Sequence, residues 1–317
     1  MDVILHLGAH RTGTTTFQAY LRRNRRALAD LRIAVWEPDL LRNGFTTGLI
    51  GPDRPATPAQ MRRAERSVGL IRLETERLRR GGADRLLVSE ENMIGSVRDN
   101  LARTALYPEV IPRLARFTPA FAARCSRVVI GIRSYDRFWA SALAYALPNG
   151  VRLPDRARLD RLVTQPRRWK QVITDIAATF PGAECMVAPF EAVAGQPEVQ
   201  LAAILGEPVP RLADARRWLH PSPSRDMLRQ VLRDRGERDA AQRIPGGGGP
   251  WQPFAPEHVA AMQAQYAGDL DWLRAGADGC ATLMTGTGTD AGQNLPPRPG
   301  NKGRDHDRQA FAGAGLG

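Results

Sequence analysis

The segment Val3-Ile4-Leu5-His6-Leu7 is a strand-length apolar run that ends at Gly8, and from Phe17 onward the residues Phe17, Tyr20, Leu21 and Leu28 fall at near-helical intervals. Between them lies Gly8-Ala9-His10-Arg11-Thr12-Gly13-Thr14-Thr15, whose glycines have the GxxxxG spacing of a phosphate loop. This succession of strand, glycine turn and helix narrows the possible folds more than any other stretch. Glycines let backbone N–H groups approach an anion closely, the helix N-terminus adds partial positive charge, and threonine hydroxyls supply further donors. A nucleoside-triphosphate loop carries Lys directly after the second glycine. Here that position is Thr14, and the cation is Arg11, ahead of the second glycine.

Further along, residues 85–89 (RLLVS) and 127–132 (RVVIGI) are uninterrupted apolar runs, as expected of strands covered on both faces, and 185–190 is a weaker third. Helical patterns at 108–124, 136–147, 168–179 and 197–205 separate them. A surface helix is expected over 58–80, where Met61, Ala64, Val68, Ile71 and Leu78 form the apolar stripe. Alternating strands and helices predict an α/β fold with a parallel sheet. After Leu205, prolines punctuate the chain. A helix is expected at 225–240, an irregular, mobile loop at Gly246-Gly247-Gly248-Gly249, and a last amphipathic helix at 256–273. From Thr282 to Gly317 large apolar residues almost vanish, so burial cannot offset the entropy of ordering. The expected organisation is one α/β domain over 1–281 and a disordered Gly/Pro-rich tail over 282–317.

A chain of 317 residues can bury a core without staples. Cys125, Cys185 and Cys280 are odd in number and form no CxxC pair, which argues against a disulfide framework or a zinc knuckle. Asp2 stands where a signal peptide would carry positive charge, and no apolar stretch approaches ~18 residues. A cytoplasmic protein without a membrane span is expected. The net charge of +12 invites a nucleic-acid interface, but 43 of the 45 basic residues are Arg and, apart from clusters such as Arg22/Arg23/Arg25/Arg26, they are scattered. That distribution reads as solvated helix faces and a field that draws small anions, with no specific nucleic-acid partner expected.

Arg11-Thr12-Gly13-Thr14-Thr15 resembles the 5′-phosphosulfate loop, Lys-[Ser/Thr]-Gly-Thr-Thr, of sulfotransferases that use 3′-phosphoadenosine-5′-phosphosulfate (PAPS), with Arg in place of Lys. The family's second signature is an Arg closing a later strand and a Ser eight residues on. Arg133 and Ser141 stand in that relation after RVVIGI. Gly-Ala-His-[Lys/Arg]-Thr together with Ser89-Glu90-Glu91-Asn92, a Ser-x-Glu-Asn pattern, is more similar to bacterial members than to animal cytosolic ones. The family's Arg-Lys-Gly loop is absent, and Arg243 ahead of the Gly246–249 run is the local substitute. The resemblance runs from Val3 to about Leu273. It implies a P-loop-type three-layer fold and metal-independent use of PAPS, with PAP as product. The acceptor is a hydroxyl or amine on a small molecule, glycan or lipid.

Carried over residue by residue, the resemblance gives Arg11, Thr12, Gly13, Thr14, Thr15 and Thr16 to the 5′-phosphosulfate and Arg133 and Ser141 to the 3′-phosphate, with Arg243 as a further contact. The general base must sit at the carboxyl end of a strand beside the loop. Glu91 meets that requirement, Glu90 is next to it, and His10 is a third candidate. Two other functions compete with this one. A diverged nucleotide kinase would need the Lys that Thr14 replaces and a strand ending in a magnesium-binding Asp. A non-catalytic basic protein would bind polysaccharide or nucleic acid in a salt-sensitive way and bind no nucleotide.

Overall fold

The computed structural model describes residues 1–51, 57–210, 212–213 and 222–284. Six strands form one all-parallel sheet: β1 Asp2–His6, β2 Ile33–Trp36, β3 Arg85–Ser89, β4 Cys125–Ile132, β5 Glu184–Pro189 and β6 Thr282–Leu283. Their spatial order is β2-β3-β1-β4-β5-β6. The main helices are α1 Thr14–Arg23, α2 Pro58–Arg80, α3 Tyr135–Ala146, α4 Trp169–Thr179, α5 Pro197–Leu205, α6 Arg225–Asp234 and α7 Pro256–Arg274.

The strands are apolar on both faces because both are covered. Val3, Leu5, Leu86, Val88, Val128 and Ile130 point into a core closed by Phe138, Trp139 and Leu143 of α3 and by Trp169 and Ile173 of α4. The alternate residues Ile4, Leu87, Val129 and Ala188 meet Phe17, Tyr20 and Leu21 of α1 and Leu201 and Ile204 of α5. The three-layer α/β architecture expected from the alternating runs is therefore present. The chain leaves β1 toward one face through α1 and leaves β4 toward the other through α3. The neighbours β1 and β4 thus flank a topological switch point, where a crevice opens at the strand carboxyl ends.

Several local expectations differ from the structure. β2 has only four residues and no turn signal of its own. The helix expected over 108–124 is two, Val110–Ala115 and Thr118–Phe121, with Pro119 in the first turn of the second. The helix expected over 225–240 breaks at Gly236, φ +78°, into α6 and Arg238–Gln242. On α2 the buried stripe is Ser67, Ile71 and Thr75, while Met61 is half exposed. The Gly246–249 run is irregular but tethered, not free: Gly247 N–H donates to Asp226 Oδ1 at 2.9 Å, and Arg225 N–H to the Gly249 carbonyl at 3.0 Å. Of the tail expected over 282–317, Thr282–Leu283 instead pair with β5, and Met284 is buried. Residues 285–317 lie outside the described residues. Among the described residues no helix is long and apolar enough to cross a membrane.

His6, the last residue of β1, ties the layers together. Its Nδ1 meets Ser89 Oγ of β3 at 2.8 Å, its Nε2 meets Gln200 Nε2 of α5 at 3.2 Å, and its ring stands edge-on to Phe17. With Gln200 donating to Nε2, the ring proton sits on Nδ1 and goes to Ser89. Burial pushes the imidazole down from 6.5 to about 4, only partly offset by Glu91. The unfolded chain takes up this proton below pH 6.5 and the folded chain does not until about pH 4. The neutral imidazole therefore contributes stability above pH 6.5 that is lost as pH falls through that window. Denaturant unfolding at pH 7.5 and 4.5 should show the wild type losing on the order of 2–3 kcal/mol more than His6→Asn. Equal losses would show that His6 is not the group responsible.

Candidate active site

The loop between β1 and α1 is built to be narrow. Gly8 and Gly13 have φ of +50° and +85°, and a methyl group at Gly8 would sit 2.1 Å from Thr14 Cγ2. Across the sheet, Gly131 of β4 leaves room for Thr12, whose Oγ1 would lie 2.6 Å from a methyl there. The Thr12 hydroxyl donates to the Ala9 carbonyl at 2.6 Å and accepts the Ala9 N–H at 3.1 Å, so it closes the loop on itself. Thr14 and Thr16 are buried and Thr15 is exposed. Gly13 caps α1 without a side-chain bond, and the first-turn N–H groups of a helix have no intrahelical acceptor.

Arg11 adopts φ +66°, a left-handed conformation uncommon for a side chain, and this turns it toward α3. Its Nε donates to Ser141 Oγ at 2.8 Å and an Nη to Ser222 Oγ at 3.1 Å, while the guanidinium lies 5.3 Å from the Tyr145 ring centre. The two serine hydroxyls are 2.7 Å apart. Arg133, just past β4, donates to the Arg11 carbonyl at 2.8 Å and stacks on Phe190 at 4.3 Å. Its Nε is buried and meets no acceptor. Among the described residues, neither Arg11 nor Arg133 has a carboxylate within ion-pair distance. Burial pushes both guanidiniums down. For Arg133 the value is about 10, with Glu191 pulling it up and Arg11 and Arg137 pushing it further down. The result is a two-arginine cradle short of negative charge.

The segment after β3 carries the acids. Glu90 is fully buried and takes both Nε (2.9 Å) and Nη2 (2.6 Å) of Arg42, while one of its oxygens also accepts the Asn92 N–H at 3.0 Å. Glu91 is 14% exposed at its side chain, accepts Gln18 Nε2 at 2.7 Å and the same Arg42 Nη2 at 3.1 Å. Burial drives Glu90 above the usual carboxylate range, an effect that Arg42 only partly opposes. Burial pushes Glu91 up as well, but His10, the Gln18 bond and Arg42 outweigh it and leave this carboxyl below its ordinary value. Glu90 is thus a buttress for the turn, and Glu91 is the ionised, reachable carboxylate.

His10 is engaged at both ring nitrogens. Its backbone N–H donates to Tyr107 Oη at 2.8 Å, its Nδ1 meets the same hydroxyl at 3.0 Å, and its Nε2 meets Asn92 Oδ1 at 3.1 Å. With Tyr107 donating to Nδ1 and Nε2–H donating to Asn92, every group is satisfied. Burial pushes this imidazole down despite Glu91, so it is neutral at pH 7. His10 thereby orients the loop and the Glu91–Asn92 turn, with no free ring nitrogen to collect a proton.

The structure brings Arg11, the threonine loop, Arg133 and Ser141 to one crevice, with Glu90, Glu91 and His10 at the end of the neighbouring strand. It does not bring Arg243 there: that side chain donates to the Pro154 carbonyl at 3.0 Å. Ser222 stands in its place beside Arg11. Arg42, Gln18, Tyr107 and Ser222 were missed in the sequence. Only Gln18 left a trace, as a polar residue inside the apolar side of α1. Among the described residues no three His, Cys, Asp or Glu gather as metal ligands.

No protein-family model matches the chain, and no curated protein matches it in sequence. Among solved structures, one described as a sulfotransferase from Alicyclobacillus acidocaldarius is similar to it at 17% identity, covering 77% of this chain and 94% of that one, with a TM-score of 0.37. A likeness at that level fixes no residue correspondence.

Proposed function

We propose that the protein is a sulfotransferase that takes its sulfuryl group from PAPS and delivers it to a hydroxyl or amine. The observation that carries this reading is the convergence of Arg11 and Arg133 with Ser141 at the β1/β4 switch point, with no carboxylate partner among the described residues. Two guanidiniums side by side, one with an orphaned buried N–H, have an electrostatic vacancy for an anion.

The residues present fit the nucleotide. The first-turn amides of α1 and Arg11 would hold the 5′-phosphosulfate and Arg133 with Ser141 the 3′-phosphate, while Thr12 shapes the loop. Bound PAPS supplies the activated sulfuryl group. Arg11, bonded to Ser141, places fixed positive charge beside the end of α1, where negative charge builds. Glu91, ionised at neutral pH, accepts the acceptor's proton on its carboxylate, while Gln18 and Arg42 hold both of its oxygens in position. Tyr107 and Asn92 hold His10 in place, and burial keeps its ring neutral.

Calorimetric titration with PAP in EDTA tests the assignment. The wild type should bind without metal, and Arg133→Ala and Arg11→Ala should each bind roughly 10- to 100-fold more weakly, the loss expected for a charged hydrogen bond to phosphate. Absence of PAP binding by the folded wild type would overturn the reading.

A further inference from the structure

Cys185 and Cys280 meet at one edge of the sheet. β5 and β6 pair in parallel, Met186 with Thr282 and Val187 with Leu283. One step earlier the same register sets Cys185 beside Ala281, and Cys280 is the next residue back along the chain. Strand spacing and one residue of chain put the two cysteine Cα atoms about 6 Å apart, inside the roughly 4.4–6.8 Å that a disulfide spans. Both side chains pack on the core that α3 and α4 cover, and both line one open cleft of about 590 Å³ between β5, the end of α7 and β6. Cys185 is buried there, while Cys280 is partly exposed.

The turn between α7 and β6 brings Cys280 back onto that face. Gly276, Ala277, Asp278 and Gly279 follow one another with φ of +98°, +50°, +53° and +78°. Ala277 and Asp278 thus hold a left-handed conformation that residues with a Cβ rarely adopt. Contacts from the neighbouring helices keep the turn in place: Trp272 Nε1 donates to Asp278 Oδ2 at 2.8 Å, and Lys170 Nζ pairs with the same oxygen at 3.1 Å. The Cys280 thiol donates to the Ala277 carbonyl at 2.9 Å. Burial first, then Cys280 and Glu184, push the Cys185 thiol up to about 12, so it stays protonated at neutral pH within electrostatic reach of Cys280. Cys125 is too far away to join the pair. Val128 is the β4 partner of Cys185, and Cys125 lies three residues, about 10 Å, further down that strand.

We propose that Cys185 and Cys280 form an oxidant-modified dithiol, in which Cys280 reacts with a hydroperoxide and Cys185 resolves the product to a disulfide. The Cys280 sulfur, its proton lost to water, attacks a peroxide oxygen. The O–O bond breaks, giving a sulfenic acid and a hydroxide that takes up a proton. The Cys185 sulfur then attacks the Cys280 sulfur, the S–O bond breaks, and hydroxide leaves as water with the Cys185 proton. The dithiol loses two electrons, and hydrogen peroxide is reduced to two waters. The new bond closes the chain from 185 to 280 and fastens β6, which pairs over two residues, to β5. Cys185 lies at the amino end of β5, away from the crevice at the strand carboxyl ends, so the inference stands apart from the sulfotransferase reading.

The full chain is exposed to millimolar hydrogen peroxide at pH 7.5, free thiols are blocked with N-ethylmaleimide, and unreduced tryptic peptides are mapped by mass spectrometry. The linked Cys185 and Cys280 peptides should dominate in monomeric protein, with Cys125 blocked as a free thiol, and dithiothreitol should return both thiols. Cys280→Ser should slow oxidation of Cys185 by roughly tenfold or more, and Cys185→Ala should leave Cys280 as a sulfenic acid that dimedone traps. Phenylarsine oxide, which bridges two adjacent thiols, needs no substitution and should shield Cys185 and Cys280 together from N-ethylmaleimide. Peroxide that carries Cys280 of the folded wild type to sulfinic acid without the cross-link, that joins two chains, or that links Cys125 would overturn the pairing. So would an arsenical that shields neither thiol.

Discussion

Glu91→Gln should lower kcat by roughly 10²- to 10⁴-fold, measured as PAP release from PAPS with the best acceptor in a panel of hydroxylated and amino compounds. The substitution keeps an accepting oxygen for Gln18, removes the charge and the basicity, and turns the amide NH2 toward Arg42. PAP affinity should stay within about twofold, because Glu91 belongs to the β3 end of the crevice and not to the arginine cradle. The pH profile adds a second check. Glu91 sits below its ordinary 4.5, so the acid limb of kcat/KM should fall below that value. An acid limb above 4.5 would not belong to the Glu91 carboxyl and would count against it as the base. Retention of kcat by Glu91→Gln would remove it from the role of base.

The largest effect on stability is expected at Arg42. Its guanidinium is half exposed, but it is what neutralises Glu90, whose side chain is fully buried. Arg42→Leu leaves that carboxylate uncompensated and should cost about 3 kcal/mol in denaturant unfolding at pH 7, the lower end of the range for breaking a buried pair. Removing both partners in Arg42→Leu/Glu90→Leu should restore most of the loss, to within about 1 kcal/mol of wild type. Because the cost belongs to an ionised carboxylate, it should shrink as pH falls and Glu90 takes up a proton. A single variant no less stable than the double would show that Arg42 does not neutralise Glu90.

What could be read from the sequence was what is local. The β1 loop announces itself because strand, glycines, threonines and helix are contiguous, and Arg133 and Ser141 were placed by their resemblance to a sulfotransferase signature that follows an apolar run. Arg42, Tyr107 and Ser222 come from irregular stretches, and they meet their partners across 48, 97 and 211 residues of chain. No periodicity encodes such contacts. Arg243 was chosen for its place ahead of four glycines, yet its side chain turns to the Pro154 carbonyl. β2 and β6 were lost for a plainer reason: four and two residues are too short to show a pattern.

The arginine cradle draws on four separate parts of the chain. Arg11 follows β1, Arg133 follows β4, Ser141 lies on α3 and Ser222 precedes α6, so one anion seated among them ties four segments to each other. Whatever binds there exists only for the folded chain, and its binding energy adds to folding energy as RT ln(1 + [L]/Kd), about 2.7 kcal/mol at a hundred times Kd. A cell that keeps such a ligand abundant would thereby keep the protein folded. Starvation for the ligand would then lower the amount of protein as well as its turnover.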